Sequence, residues 1–254
     1  MDALRAAWDY RSSDVILHCL PLHHVHGLVN KLIAFNAAGA TVKMESTFNA
    51  TRVLDELLGI KLNGPQANVF MAVPTIYVKL LEEAKKRNLT KGDFSALRLM
   101  VSGSAAMPRP VAHAWETFSD VRLLERYGMT EIGMALSQGL DNDTRIDGAV
   151  GQPMLGVEAR LRTADNNLIA FDDGASGEGE LEIKSNSLFK EYWRLPEKTA
   201  DEFTTDGWFK TGDTSRFSNG HRSRLFNFLV PHFCWNFQNE QLSAVIFWDA
   251  HQLT

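Results

Sequence analysis

Cysteine is nearly missing from the sequence. Cys19 and Cys234 are all there is, too far apart to suggest a disulfide framework or a CxxC metal pair. A reducing compartment is the simpler setting. Long apolar runs are missing as well: none reaches the roughly 18 residues that would span a bilayer. The opening MDALRAAWDYRSSD scatters charge where a secretory signal would be continuously apolar, so no targeting segment is expected within this stretch. Basic surplus is the third absence. With 26 Lys and Arg against 31 Asp and Glu, the formal charge is −5 at pH 7. That excludes a general nucleic-acid binder, which needs cations to displace counterions from phosphates. Any phosphate site must be local. There is no internal repeat and no low-complexity tract. The remainder is ordinary: 254 residues, 44% hydrophobic and 22% charged, enough to build a core in one large or two smaller domains.

Along the chain, DVILHCLPL, HHVHG and LVNKLIAFNAAGATVKM read as strand, loop, then helix and strand. Val53–Ile60 carries apolar residues at helical spacing, and Asn68–Val73 is a compact β-rich run. Pro74 opens a helix, as its missing N–H allows. Leu97–Val101 gives another buried strand, followed by a helix opened by Pro108 and Pro110. Strands alternating with helices predict an α/β fold with a parallel or mixed sheet, with ligand loops beyond the carboxyl ends of the strands. From Gly148 onward, short β-like segments broken by Gly and Asp predict a small antiparallel or barrel-like unit. The expected division is an α/β subdomain over 1–145, a β-rich subdomain over 146–214, and a divergent, aromatic-rich and poorly ordered tail over 215–254.

Four clusters carry chemistry-bearing residues. Ser102–Met107 (SGSAAM) is a small-residue turn between a strand and a helix; it either lets a flat or anionic ligand approach the backbone or is an ordinary turn. Leu123–Gly133 (LLERYGMTEIG) offers the Tyr127 ring, the Gly128 backbone, the Thr130 hydroxyl and the Glu131 carboxylate. Those are donors suited to a base and to Mg²⁺ beside phosphates; the same residues could also cap a helix. Asp206–Asp213 (DGWFKTGD) ends in a carboxylate fixed on a turn, able to accept from ribose hydroxyls or merely to support the turn. Pro21–Gly27 (PLHHVHG) has three histidines but no further ligands spaced to complete a tetrahedral site, so it reads as a pocket-lining loop rather than a metal centre.

Taken in order, Pro21–Gly27, Ser102–Ala106, Tyr127–Glu131, Gly179–Leu181 and Thr211–Asp213 resemble the adenylate-forming superfamily of acyl-CoA synthetases, peptide-synthetase adenylation domains and luciferases. The finer text, HHVHG, VFMAVPTIY, VSGSAAMP and LERYGMTEIGMALS, is similar to its malonyl-CoA/methylmalonyl-CoA synthetase branch. The resemblance covers about residues 14–214. It implies part of the family's large N-terminal domain and a reaction in which ATP and Mg²⁺ convert a carboxylic acid to an acyl-adenylate that CoA then captures. Tyr127, Gly128 and Met129 would lie at adenine beside Ser102, Gly103, Ser104 and Ala105. Thr130 would touch the α-phosphate, Glu131 would hold Mg²⁺, and Asp213 would bind the ribose. A dicarboxylic acid needs a cation for its second carboxylate, and the planar fork of Arg suits it. Arg126 is the candidate, with Lys79 and His24 or His26 as helpers; alternatively Arg126 pairs with Glu125 or Glu131. The eukaryotic members of the branch suggest the mitochondrial matrix.

Two family parts are not in this text: the Ser/Thr/Gly-rich phosphate loop upstream of the His segment, and the hinge and small Lys-bearing domain downstream. After Thr214 the sequence departs from the family, in the manner of another reading frame or an intron read-through. Two alternatives follow: a non-catalytic chain that binds nucleotide or a full-length partner, and a ligase for a medium-chain or aromatic acid. The purified chain is expected to form malonyl-CoA no faster than a boiled control, which a thioester assay would check.

Overall fold

The computed structural model describes residues 1–60, 64–171, 175–219, 224–228 and 246–247. Its first half is built on a parallel sheet whose inner strands are buried throughout. β1 (Val15–His18), followed along the chain by the half-exposed edge strand β2 (Thr41–Met44), then β3 (Val69–Ala72) and β4 (Leu99–Ser102), run parallel in the order β2-β1-β3-β4. Continuous apolar runs are what a sheet covered on both faces requires. Alternation along each strand divides the core. Val69, Met71, Leu99 and Val101 face Trp8 of α1 (Asp2–Trp8), together with Tyr10 and Phe35. Phe70, Ala72 and Met100 face α3 (Ala50–Leu57), α4 (Pro74–Lys86) and α5 (Arg109–Ser119), where Tyr77 and Trp115 meet edge to face. Asn49 caps α3 by accepting from the Arg52 N–H at 3.0 Å, as Asn does at this position. Prolines open α4 and α5.

β5 (Leu124–Met129) is parallel to β4 on one side and antiparallel to β6 (Gly133–Ser137) on the other. Beyond it every pairing in the sheet is antiparallel. β7 (Ala149–Pro153), β8 (Val157–Arg162), β9 (Leu168–Ala170) and β10 (Gly177–Ser185) come next along the chain. Then follow β11 (Glu191–Tyr192), α6 (Pro196–Asp201), β12 (Phe209–Asn219) and β13 (Arg224–Phe228). Their spatial order, β5-β6-β7-β13-β12-β10-β8-β9, encloses a third apolar cluster around Leu161, Leu181, Ile183, Phe209 and Phe217. Of the tail, residues 215–219 continue β12, β13 lies beside β7, and β14 (Ile246–Phe247) pairs with β11. The rest, Cys234 included, lies outside the described residues. Among those described, no helix is long and apolar enough to cross a membrane.

The His-rich loop ends sooner than the sequence suggests. His26 already opens a helix, wound as a π-helix over His26–Ile33 before it tightens into α2 (Ala34–Ala37). The wider turn brings His26, Asn30 and Lys31 together on the buried side. Lys31 is fully buried, its ammonium donating to the Leu17 and Met71 carbonyls, each at 2.9 Å, at the ends of β1 and β3. Burial pushes its pKa down to about 8.

An unfolded lysine keeps its proton to about 10.4. Between those values the unfolded chain binds more protons, so folding stability rises as pH climbs from about 8 towards 10.4. The gain is on the order of 3 kcal/mol at 1.36 kcal/mol per pKa unit. Urea unfolding of the wild type and of Lys31→Met across that window should show this rise in the wild type alone; parallel curves would contradict it.

Candidate active site

Arg126 leaves β5 on the same face as Leu124, towards Tyr10 and Trp8, and is only 4% exposed. Its Nη2 donates to Ser104 Oγ at 3.2 Å, and its Nε has no hydrogen-bond partner among the described residues. No carboxylate, Glu125 and Glu131 included, pairs with it among the described residues. Burial brings the guanidinium down to about 10. Ser104 has a φ of 67°, a left-handed conformation that costs a non-glycine residue about 1–2 kcal/mol. Its hydroxyl also meets His26 Nδ1 at 3.3 Å. Arg126 can only donate, so the Ser104 oxygen accepts from it, while the direction of the Ser104–Nδ1 hydrogen bond follows the tautomer of His26. Burial, then the nearby Arg126 charge, hold the His26 pKa well below its ordinary value, so the ring is neutral at pH 7. Gly103 makes the arrangement possible, because a Cβ there would lie 2.4 Å from Arg126 Nε and 2.6 Å from Cζ.

The Thr130–Glu131 text forms a hairpin turn between β5 and β6, not the first turn of a helix. Close approach of the two strands requires Gly128, where a Cβ would lie 2.1 Å from the Gly133 carbonyl oxygen. Thr130 is exposed at the tip, and Met129 ends β5, its sulfur 3.8 Å from the Tyr127 hydroxyl. Tyr127 also donates to Asp213 Oδ2 at 2.6 Å across 86 residues of sequence. Burial first, then the Asp213 charge, raise the Tyr127 pKa well above its usual value. Asp213 is held in turn: its N–H donates to Thr211 Oγ1 at 3.1 Å, and the Thr211 hydroxyl donates to the Leu181 carbonyl at 2.7 Å. Glu131 Oε1 accepts from the Tyr192 hydroxyl at 2.9 Å.

Thr130 and Glu131, neighbours in this turn, carry a hydroxyl and a carboxylate, oxygen groups of the kind that fit Mg²⁺, which commonly takes one or two carboxylates and completes its shell with substrate phosphates and water. Among the described residues no group of three or more His, Cys, Asp or Glu could hold a metal by itself.

The structure thus gathers Ser104, His26 and Arg126 in one cluster, and Tyr127, Asp213 and the Thr130–Glu131 turn beside it along β5. Ala105 is exposed next to Ser104. Ser102 is buried with its hydroxyl unpaired, but it registers with Glu125 and so faces away from Arg126. Lys79 makes no contact with the cluster; it is exposed on α4, its ammonium 5.9 Å from the Phe48 ring centre. His24 is exposed and packs its ring against His23 at 4.3 Å. Asn30 escaped the sequence reading: it is fully buried, one turn from His26, and neither polar side-chain atom has a partner among the described residues. Tyr192 escaped it too.

The AMP-binding enzyme family matches residues 1–193. The chain belongs to that family. It is 45% identical over 238 residues to the mitochondrial malonate–CoA ligase of Homo sapiens, covering 84% of this chain and 41% of that protein. It is 46% identical over 223 residues to the malonate–CoA ligase of Arabidopsis thaliana, covering 84% and 35%. Among solved structures, it superposes with a TM-score of 0.76 and 34% identity on a malonyl-CoA ligase described as a ternary product complex with methylmalonyl-CoA and AMP, covering 91% and 46%. The ATP-bound MatB of Rhodopseudomonas palustris gives 0.75 and 34%, covering 90% and 42%. The chain therefore spans about two fifths of the length of the curated relatives it matches. The AMP-binding match includes β1 to β11 and stops short of Asp213.

If Gly103 exists to seat Arg126, Gly103→Ala should destabilise the chain by about 1–3 kcal/mol, the usual range for overpacking. Urea denaturation of a double-mutant cycle with Arg126→Ala should abolish most of that loss. An equal loss in both backgrounds would refute the seat.

Proposed function

We propose that this AMP-binding chain belongs to a malonate–CoA ligase and carries its acid, adenine and ribose contacts. The acid's carboxylate oxygen attacks the α-phosphorus of ATP and pyrophosphate leaves; the CoA thiolate then attacks the acyl carbon and AMP leaves. In this reading the Tyr127 ring and the Ser102–Ala105 turn flank adenine, Asp213 accepts from the ribose hydroxyls, and Thr130 contacts the α-phosphate. Glu131 holds Mg²⁺, which offsets phosphate charge when bound. The protein's contribution is positioning and preorganised charge rather than a nucleophile of its own.

The observation that carries the substrate assignment is Arg126, a buried cation with a hydroxyl for a partner and no carboxylate among the described residues. An anionic ligand group would supply the missing charge, and a second carboxylate is what separates malonate or methylmalonate from a monocarboxylic acid. His26 adds a neutral imidazole beside it. The similarity to malonate–CoA ligases points the same way, and the mitochondrial names of the animal relatives support that compartment.

Calorimetric titration can test this directly. Arg126→Met should weaken malonate binding about 10- to 100-fold, the size of a lost charge-assisted pair, and leave hexanoate and ATP binding within about twofold. Equal losses for malonate and hexanoate would remove Arg126 from the dicarboxylate role and favour a ligase for another acid.

A further inference from the structure

The Thr130–Glu131 turn does not stand alone. A segment more than fifty residues later in sequence is latched onto it at three points. The Phe189 N–H donates to the Glu131 carbonyl at 2.6 Å, the Ser187 hydroxyl donates to the Ile132 carbonyl at 2.9 Å, and the Tyr192 hydroxyl donates to Glu131 Oε1 at 2.9 Å. The first two fix the backbone of the turn. The third reaches the carboxylate itself.

We propose that Tyr192 is a positioning residue for Mg²⁺·ATP: it occupies one oxygen of Glu131, fixes the rotamer of that carboxylate, and reserves the other oxygen for the metal. The inference rests on the reading of Glu131 as the Mg²⁺ ligand. Carboxylates that bind metals are themselves commonly hydrogen-bonded, and loss of that outer partner typically weakens metal binding 10- to 100-fold. Among the described residues Glu131 Oε2 has no hydrogen bond, so Tyr192 holds the carboxylate without consuming it.

Tyr192 is built to stay in place. Its ring packs on Phe189 at 4.7 Å between centroids, and Phe189 contacts Phe203 and Phe209 at 5.8 and 5.5 Å. Its own N–H donates to Thr199 Oγ1 at 3.0 Å, and the Lys198 ammonium lies 5.5 Å from its ring centre. The aromatic cluster is part of the apolar core of the antiparallel half. A rigid phenol is therefore presented to a turn that extends from β5, tying the packing of one half of the sheet to a carboxylate at the edge of the other.

The test is the Mg²⁺ dependence of ATP binding to the 254-residue chain, with AMP as the metal-independent control. Tyr192→Phe keeps the ring and removes only the hydroxyl. It should raise the Mg²⁺ concentration that half-saturates ATP binding about 10-fold while AMP affinity stays unchanged. Glu131→Gln should raise it at least as far, and adding Tyr192→Phe to Glu131→Gln should produce no further change. A purely structural tyrosine would lower the melting temperature without moving the Mg²⁺ dependence. If Glu131→Gln shifts that dependence and Tyr192→Phe does not, the positioning role is overturned and the Glu131 reading survives. If Glu131→Gln also leaves it unmoved, the metal reading fails and takes the proposal with it. Should Tyr192→Phe melt early, the pair Glu131→Gln and Glu131→Gln/Tyr192→Phe, compared below both melting points, still reads the coupling: a further shift from the second substitution would overturn it.

Discussion

A guanidinium buried at the carboxyl edge of the parallel strands, without a counter-carboxylate among the described residues, is the constraint around which the site is arranged. The other buried arginines, Arg145 and Arg160, and the half-buried Arg98 show that the fold can do otherwise. Arg98 pairs with Asp14 and two backbone carbonyls, Arg160 pairs with Glu182 and Asp206, and Arg145 donates to the carbonyls of Arg122, Gly139 and Leu140. Arg126 has a hydroxyl and an unpaired Nε. Removing one member of a buried ion pair typically destabilises by about 3–5 kcal/mol, a large share of the roughly 5–15 kcal/mol that holds a domain together. A group that incurs such a penalty with only a hydroxyl to offset it is better explained by a ligand than by the core. Gly103 and the left-handed Ser104 are local consequences: one gives up a side chain to make room, and the other accepts backbone strain to present its hydroxyl.

β5 is where these demands meet. It is the last parallel strand and the first antiparallel one, so residues on it touch both halves of the molecule. Arg126 points into the core shared with α1, Tyr127 reaches Asp213 on β12, and the strand ends in the turn that Tyr192 holds. One strand thus places three kinds of contact in register. A slip of one residue would exchange the faces of Arg126 and Tyr127, and the close approach at Gly128 helps to prevent it.

Much of this was legible in the sequence, because local rules and global packing agree there. Apolar runs marked the parallel strands, prolines marked the starts of α4 and α5, and the order of the motifs placed Arg126, Tyr127 and Asp213 close together. The place of Lys79 outside the cluster could have been read on the same grounds. Pro74, Ile76, Tyr77, Leu80 and Ala84 form the buried face of α4, and a period of 3.6 puts Lys79 opposite it. The inward turn of Asn30 and Lys31 was not legible. At α-helical period the text VNKLIAF sends its polar residues outward, and no residue type announces a π-helix. Tyr192 was hidden for a different reason: its partner lies 61 residues away, so only the folded chain brings them together.

For the ligands proposed here the charge of the chain poses a problem that the geometry resolves. ATP, CoA and a dicarboxylate are all anions, yet the sequence carries a net charge of −5. Across water at physiological salt, charges more than about 8 Å apart are largely screened, so a modest negative surface neither attracts nor strongly repels such ligands at a distance. Inside the cluster the screening is lost. There a single cation beside neutral donors exerts a far stronger pull than the same charge on the surface, because the surrounding dielectric is low. Discrimination between one carboxylate and two can therefore depend on Arg126 and its few neighbours. The desolvation that depresses the pKa of Arg126 and keeps His26 neutral is the same property that would make the site selective.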